Sequence, residues 1–496
     1  MTFAEIKKLS DLFALALATR GISKGDCVVV MLPRLPEWQI VTVACLKLGA
    51  VTVPCIEMLT ESDLTYRIEH SGATTIVTTE ENRAKVPGDL ETLSHRIFLG
   101  PDGHWNCDGE EIAMSDAPFE SARVLPEDPV VIYYTSGTTG PPKGVTLAAR
   151  ALYVWRYAAR YWLDLDEGDL MWCTADTGWS KAGTSILFGP WSWGVPALFY
   201  DGPFDPTGRL EVLARHRVTV FCAAATELRR LIYEDVGAHD LSALRRTVSA
   251  GETLNPEVAN RWTELTGAPT HEGYGQTESL MSVHNYSCTP VKSGSMGLPL
   301  PGYKLAVLAD DGTDLGNGAS GIIAIGLPNP NMFLGYWREP GRQQESIVRN
   351  AAGAWWLTGD IGWMDDDGYV FFEGRGDDII SSAGYRIGPS EVENALLEHP
   401  AVRECVVVAS PDPERGEIVK AFVVLAEGVA ESEHLVSDLQ DHCKRTTAPY
   451  KYPREIAFVA DLPKNVAGKL LRGALKRQEY ERKGNLVSEE IGVRPG

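Results

Sequence analysis

Tyr133-Tyr134-Thr135-Ser136-Gly137-Thr138-Thr139-Gly140-Pro141-Pro142-Lys143-Gly144-Val145 carries more chemistry than any other stretch of the chain. An apolar β-branched run, Val130, Val131 and Ile132, leads into a loop of hydroxyls and glycines that ends in one lysine. Backbone N–H groups left accessible by glycine, Ser and Thr hydroxyls and an ammonium are the groups a polyphosphate needs around it. The loop is not of the Walker A type, which places Gly directly before the Lys and Ser or Thr after it. Here Pro142 precedes Lys143 and Gly144 follows. A flexible Ser/Gly linker is the competing reading, but Pro-Pro-Lys after so dense a hydroxyl cluster argues against it.

A chain of 496 residues exceeds what one hydrophobic core supports, so two or more domains are expected. Its 44% apolar and 23% charged residues are those of an ordinary globular protein. A net charge of −21 argues against a general nucleic-acid binder, so any polyanion must find a local cluster of Lys and Arg. The nine cysteines form no C-x-x-C pair, which implies neither zinc nor a disulfide framework and favours a reducing, cytoplasmic setting. No apolar run is long enough for a membrane span. Leu12 to Ala18 is apolar, but Thr2 with Glu5 forms a capping-box pattern, and Ile6, Leu9, Phe13 and Leu17 recur at helical spacing. The spacing predicts a buried amphipathic helix that stops near Gly21.

Helical and strand patterns alternate from Met1 to about Thr79: strand 27–32, helix 37–48 closed by Gly49, strand 51–54, a helix around 64–69 and strand 75–77. Strands separated by helices of this length imply βαβ units and a mainly parallel sheet. The alternation resumes with a helix over 148–161 and strands at 170–173 and 218–222. Asn255-Pro256-Glu257 then opens a helix, with Asn as cap and Pro in the first turn. Between Lys304 and Gly374, short strands (304–308, 321–325, 369–373) punctuated by Asp-Asp-Gly and Gly-Asn-Gly suggest a small antiparallel barrel. Gly374-Arg375-Gly376-Asp377-Asp378 is a glycine-flanked charged joint. Beyond it the pattern predicts an α+β unit: helix 389–398, strands 402–409 and 419–425, and a helix near 435–444.

The phosphate loop resembles the signature of the adenylate-forming enzymes: acyl-CoA synthetases, luciferases and the adenylation domains of peptide synthetases. The likeness covers nearly the whole chain and is greatest to the medium-chain acyl-CoA synthetases. It implies an α/β fold with a large N-terminal domain of doubly wound, mainly parallel sheets plus a small β-barrel, followed by a small mobile α+β C-terminal domain. The expected limits are 1–376, with the barrel at about 300–374, and 377–496. Relatives usually carry a further segment ahead of the first helix, so a strand or lid contributed by it is not expected here.

The implied reaction is attack of a carboxylate on the α-phosphate of ATP with release of pyrophosphate. Two anions must meet, so charge neutralisation and alignment dominate the barrier. Thr135, Ser136, Gly137, Thr138, Thr139, Gly140 and Lys143 supply a cradle for the β- and γ-phosphates. In His271-Glu272-Gly273-Tyr274-Gly275-Gln276-Thr277-Glu278, Gly273 and Gly275 allow close backbone approach, Tyr274 offers a flat face for adenine, and Thr277 a hydroxyl. Glu278 is a hard oxygen ligand suited to phosphate-bound Mg2+. Taken alone this string also fits a glycine-rich turn; the resemblance assigns it, with Gln276, to the nucleotide. It likewise places Gly251 and Glu252 beside the adenine, although a Gly-Glu turn before a helix also serves as a cap. Asp360, in Trp355-Trp356-Leu357-Thr358-Gly359-Asp360, suits the two ribose hydroxyls, and Arg375 suits phosphate or ribose oxygens. Lysines near a terminus are usually solvated charges, but Gly468-Lys469 followed by Leu470, Leu471 and Arg472 matches the family's catalytic lysine. Lys469 would neutralise the approaching carboxylate and α-phosphate; Lys464 is its neighbouring decoy.

Lys469 must then leave for the thiol to enter. Asp377 matches the family's hinge, and Gly374 and Gly376 would ease its rotation. That rotation would present Ser381 to Arg386 to the acyl-adenylate. By the same resemblance Gly384, beside Tyr385, would leave room for the pantetheine arm of coenzyme A, and Arg386 and Arg415 would meet its phosphates. Of six tryptophans between Trp155 and Trp193, most are expected in the core, and the resemblance places Trp179 on the border of the acyl channel. Gly183, Gly189 and Gly194 are expected to leave space there for a short or medium aliphatic or aromatic acid. The expected ligands are ATP, Mg2+, coenzyme A and a small carboxylic acid, with no nucleic acid and with a homodimer as candidate assembly. An adenylating enzyme serving a carrier-protein thiol or an amine is the alternative; a carrier domain would normally follow such a domain, and the chain ends at Gly496. A silent nucleotide-binding scaffold needs a broken loop or lysine, and both are intact.

Overall fold

The computed structural model describes residues 1–115, 117–135, 141–382, 385–464 and 470–491, with the side chains of Arg386 and of 484–491 outside the description. The chain is α/β and divides into two compact units. One comprises Met1–Gly251, Trp262–Pro290 and Pro328–Ile347, the other Glu252–Arg261, Val291–Leu327 and Val348–Gly496.

In the first unit, the first helix runs Phe3–Ala18 with the expected capping box: the Thr2 hydroxyl accepts from the Glu5 N–H at 3.2 Å, and the Glu5 carboxylate accepts from the Thr2 N–H at 2.6 Å. Strands Cys27–Met31, Val51–Pro54, Thr75–Thr79 and His95–Leu99 pair in parallel at the centre of a nine-stranded sheet. The first three of these strands are buried throughout, as expected for a parallel sheet covered on both faces. The helix Pro36–Leu48 ends on Gly49 at φ +71°, the left-handed stop that glycine favours. A second sheet runs in the order Ala197–Leu198, Met171–Cys173, Val220–Ala223, Arg246–Ala250, Thr270–Gln276, Leu280–His284. Its first five strands are parallel and the last turns back antiparallel. The helix predicted over 148–161 is α-helical over Ala149–Ala158 and widens into a π-helical turn over Ala159–Leu163.

In the second unit the antiparallel region is present, built around Gly353–Met364, a strand of 12 residues that the turn signals did not reveal. It lies between Gly321–Leu327 and Val370–Arg375, with Leu305–Leu308 and Ser295–Pro299 beyond them. The C-terminal strands Val402–Asp412 and Gly416–Leu425 form a long hairpin with helices on both faces. Cys405, Val407, Val419 and Val423 meet Val392 and Leu396 of helix Pro389–Leu397 and Leu439 of helix Glu433–Thr446. The alternate residues Val406, Val408, Phe422 and Val424 meet Leu475 of helix Arg472–Ile491. That period of two is what a strand buried on both faces shows.

Helix Arg472–Ile491 escaped the sequence reading because it lacks an apolar stripe. Its anchor is electrostatic: Glu479, buried, accepts from Lys420 at 2.8 Å, Ser410 at 2.8 Å and Arg482 at 2.6 Å. Burial alone would raise the Glu479 pKa, but the bonds from Arg482, Lys420 and Ser410 outweigh it and bring the carboxyl down to about 2. A pKa lowered on folding gives stability that is full above the unfolded value of about 4.3 and is lost as pH falls through the folded one. Glu479→Gln should therefore cost roughly 1–3 kcal/mol near neutrality. In chemical denaturation the difference from wild type should vanish between about pH 5 and 2; a gap unchanged at low pH would contradict this account of the helix.

Candidate active site

Strands Pro129–Thr135 and Lys143–Ala148 pair antiparallel, with Thr135 opposite Lys143. Ser136, Gly137, Thr138, Thr139 and Gly140 lie outside the described residues. The far shoulder is pinned by Tyr66, whose hydroxyl donates to the Pro142 carbonyl at 2.9 Å. A short segment that sequence reading passed over adds a third strand. The Leu334 N–H donates to the Thr146 carbonyl, Gly335–Tyr336 pairs with Val145 and Thr146, and the Trp337 N–H donates to the Gly144 carbonyl. A Cβ on Gly144 would lie 3.0 Å from Ile132 and 3.1 Å from Trp337, so a larger residue there would press on both side chains.

The same segment reaches the second motif. Thr270–Gln276 turns at Thr277-Glu278-Ser279 into Leu280–His284, and Leu280 holds φ +56°, a costly value for a bulky residue. The Phe333 N–H donates to the Glu278 carbonyl at 2.8 Å, and the Tyr336 hydroxyl donates to Glu278 Oε1 at 3.0 Å. Lys143 Nζ lies 5.4 Å from the centre of the Tyr336 ring. The loop lysine and the candidate magnesium ligand, 135 positions apart in sequence, thus meet across one tyrosine. Thr277 joins the next element, its hydroxyl 3.4 Å from that of Ser180. Trp179 stands as the N-cap of the short helix Ser180–Ala182.

Gly273 and Gly275 have a packing reason of their own. A Cβ on Gly275 would lie 1.9 Å from the Leu280 carbonyl oxygen, and one on Gly273 2.8 Å from the Trp162 indole nitrogen. Tyr274 is buried and Gln276 half-buried in the same strand. His271, which opens the motif, is held neutral: burial, then Arg246 and His284, pushes its pKa down to about 3. Strand Arg246–Ala250 ends at Gly251, which takes φ +91°. Lys181, unremarked in the sequence, donates to the carbonyls of Ala250 at 3.1 Å and Ala223 at 3.4 Å. It lies at the carboxyl ends of two parallel strands, where open α/β sheets bind ligands. Its signal was there to read: a lysine two residues after Trp179 in an otherwise uncharged stretch.

The space expected at Gly183 and Gly189 is taken. A Cβ on Gly183 would meet the Tyr133 hydroxyl at 2.7 Å and the Trp155 ring at 3.1 Å, and one on Gly189 the Thr184 carbonyl at 2.0 Å. Gly194 instead serves a left-handed turn at φ +68°. These glycines let a π-helical turn, Gly183–Phe188, pack tightly, and they give no measure of acid length. Trp155, Trp162 and Trp172 are core residues, whereas Trp193 is exposed and donates to the Arg156 carbonyl.

The second unit carries the remaining candidates. Asp360 and Arg375 face each other on adjacent strands, and Arg375 Nε lies 3.0 Å from the buried Asp360 carboxylate. Glu252 precedes helix Pro256–Thr266, whose cap is Asn255: its Oδ1 accepts from the Glu257 N–H at 2.8 Å. Asp377 lies in a single 3-10 turn, Gly376–Asp378, and its carbonyl accepts from Lys476 at 2.8 Å. Arg472 ties this joint to the C-terminal region, binding both oxygens of Glu393 at 2.7 and 2.8 Å and lying 3.4 Å from Asp378. Lys464 is committed elsewhere, to Glu404 at 2.8 Å and Asp461 at 3.2 Å, so it makes a poor alternative to Lys469. Lys464 and Leu470 bridge antiparallel on either side of residues 465–469; Lys469 and Gly384 fall outside the described residues. Tyr385 is exposed and stacks on Tyr450 at 4.3 Å, and Arg415 is half-buried at the turn that Asp412 closes.

Residues 1–337 match the AMP-binding enzyme family, and residues 391–469 match the AMP-binding enzyme C-terminal domain. The chain is 40% identical to the acyl-coenzyme A synthetase ACSM3, mitochondrial, of Rattus norvegicus, over 97% of its own length and 84% of that protein. Among solved structures, it superposes on the anthranilate CoA ligase AuaEII in complex with anthranoyl-AMP with a TM-score of 0.89 at 29% identity, covering 98% of this chain and 93% of that one. An acyl-CoA synthetase of Brucella canis matches at 35% identity with a TM-score of 0.72, covering 97% and 89%. With family matches over residues 1–337 and 391–469 and relatives spanning nearly the whole chain, the protein belongs to the AMP-binding enzyme family, the adenylate-forming enzymes, alongside the medium-chain acyl-CoA synthetases.

Proposed function

We propose that the chain is an ATP-dependent carboxylate–CoA ligase that works through an acyl-adenylate. The observation that carries this reading is the meeting of Lys143 and Glu278 across Tyr336, which puts an ammonium and a carboxylate at one polyphosphate site. In the first step a carboxylate oxygen attacks the α-phosphorus of ATP, the α–β bridge bond breaks, and pyrophosphate leaves. Residues Thr135 to Lys143 hold the β- and γ-phosphates, Gly251, Glu252 and Gly273 to Gln276 the adenine side, and Asp360 with Arg375 the ribose. Lys469 neutralises the reacting oxygens, and the Thr277 hydroxyl donates a hydrogen bond to them. Among the described residues, no group of three or more His, Cys, Asp or Glu side chains is assembled to cage a metal. One carboxylate completed by nucleotide phosphates and water is the arrangement magnesium accepts, and Glu278 fits it. A magnesium ion bound there supplies charge neutralisation at the phosphate oxygens.

In the second step the coenzyme A sulfur attacks the acyl carbonyl, forming the thioester and expelling AMP. Rotation at Asp377, between a domain 1–376 and a domain 377–496, exchanges Lys469 for the face carrying Gly384, Tyr385, Arg386 and Arg415. Trp179 borders the acid. The nine free thiols support a reducing, cytoplasmic setting, and a homodimer is the assembly to test first. Among the described residues no helix is long and apolar enough to cross a membrane.

A panel of carboxylic acids scored for CoA-dependent AMP formation tests the reading. Pyrophosphate release that never becomes a CoA thioester would move the acceptor to another thiol or an amine. Gly384→Trp should block the pantetheine path, lowering thioester formation from supplied acyl-adenylate by at least about 10-fold while sparing pyrophosphate release; a larger loss in adenylation would remove Gly384 from this role.

A further inference from the structure

We propose that Tyr336 is a positioning residue that couples the phosphate-loop lysine to the metal-binding carboxylate. The inference rests on the role given above to Glu278 and goes beyond it by naming what holds that carboxylate in place. Three contacts converge on this one side chain, and three backbone hydrogen bonds on the segment that carries it. The phenol hydroxyl donates to Glu278 Oε1 at 3.0 Å, which fixes the rotation of the carboxylate and leaves its other oxygen for a cation. Lys143 Nζ lies 5.4 Å from the ring centre and the Arg342 guanidinium 5.3 Å from it, so two cations share one aromatic face or edge. Arg342 is itself paired to Glu339 in the same segment, which keeps it there. The backbone adds a second link: Phe333 donates to the Glu278 carbonyl at 2.8 Å, while Leu334 and Trp337 donate to Thr146 and Gly144 of the hairpin.

A tyrosine hydroxyl could satisfy its hydrogen bond with water, and a residue that only filled space between strands would need no hydroxyl. Here the hydroxyl meets the one carboxylate of the Thr277-Glu278 turn, and the ring meets the one cation of the loop. A metal ligand held by a fixed hydrogen-bond partner is oriented before the metal arrives, and loss of such a partner typically weakens metal affinity by about 10–100-fold. The ring and the hydroxyl have separable duties. The hydroxyl sets the carboxylate, and the ring gives Lys143 a low-cost resting surface from which it can reach the phosphates.

The test uses the full-length protein, with Mn2+ as probe in the presence of a non-hydrolysable ATP analogue and bound Mn2+ read by electron paramagnetic resonance. Tyr336→Phe is expected to weaken Mn2+ binding by roughly 10-fold, with nucleotide binding measured without metal and the thermal midpoint both close to wild type. Tyr336→Leu, which also removes the ring, should in addition weaken metal-free nucleotide binding. Glu278→Gln serves as the control that separates the two claims. If Glu278→Gln weakens Mn2+ binding and Tyr336→Phe does not, the positioning role is overturned while Glu278 remains the ligand. If Glu278→Gln leaves Mn2+ binding intact, the assignment of Glu278 itself fails, and the positioning role fails with it.

Discussion

Lys469→Ala is expected to slow acyl-adenylate formation by about 10²–10³-fold, the usual loss when one preorganised donor to transition-state charge is removed. Thioester formation from supplied acyl-adenylate should change by less than about 3-fold, because Lys469 leaves the site before the thiol enters and so does not act in the second step. The expected loss is electrostatic in origin. Attack requires a carboxylate to approach a phosphate that already carries negative charge, and the chain as a whole is strongly acidic, with 67 Asp and Glu against 46 Lys and Arg. The field of the protein therefore does not favour the encounter; a local ammonium must. Lys464, the other lysine in the segment, is bound to Glu404 and Asp461 and cannot substitute without breaking both pairs. Pyrophosphate exchange and single-turnover thioester formation measure the two steps separately. Equal loss in both would remove Lys469 from the adenylation step.

Glu278→Gln should have the next largest effect. The amide oxygen can still accept from the Tyr336 hydroxyl, so the turn keeps its internal contact and the fold should be little disturbed. What is lost is the negative charge that makes the side chain a ligand for a hard cation. Adenylate formation is expected to fall by about 10²-fold at a fixed few millimolar Mg2+ and to recover partly as Mg2+ is raised. Unaltered magnesium dependence of pyrophosphate release would show that Glu278 does not bind the ion. A large drop in thermal midpoint would instead mark it as a structural residue of the Thr277–Ser279 turn.

What could be read from the chain follows from how local each signal is. The Thr2–Glu5 capping box, the left-handed Gly49 and the Asn255 cap are hydrogen-bond or backbone patterns completed within a few residues, and each forms as written. The strand leading into the hydroxyl–glycine stretch was legible for the same reason, since Val130, Val131 and Ile132 form one contiguous β-branched run. Tyr336 was not: its two-residue strand has no periodicity, and its importance lies in reaching a hairpin and a turn distant in sequence. The pairing of Asp360 with Arg375 depends on the register of two adjacent strands, which no local pattern states, although both residues had been singled out for the nucleotide. Helix Arg472–Ile491 was hidden because a buried ion pair replaces the apolar stripe that periodicity detects. Gly183 misled in the opposite direction: a missing Cβ suggested room, and the Tyr133 hydroxyl and the Trp155 ring occupy it. Glycine marks close approach without saying whether a ligand or the protein itself approaches.

The central claim is that a cradle ending in Lys143 and the ammonium of Lys469 jointly neutralise two anionic reactants. A crystal structure with a non-hydrolysable acyl-adenylate mimic and pyrophosphate tests it most directly. The account predicts the Lys469 ammonium within hydrogen-bonding distance of the oxygens that stand for the carboxylate and α-phosphate, with Lys143 on the pyrophosphate. Lys469 in bulk solvent in every copy of such a complex, with the oxygens met by other groups, would contradict it.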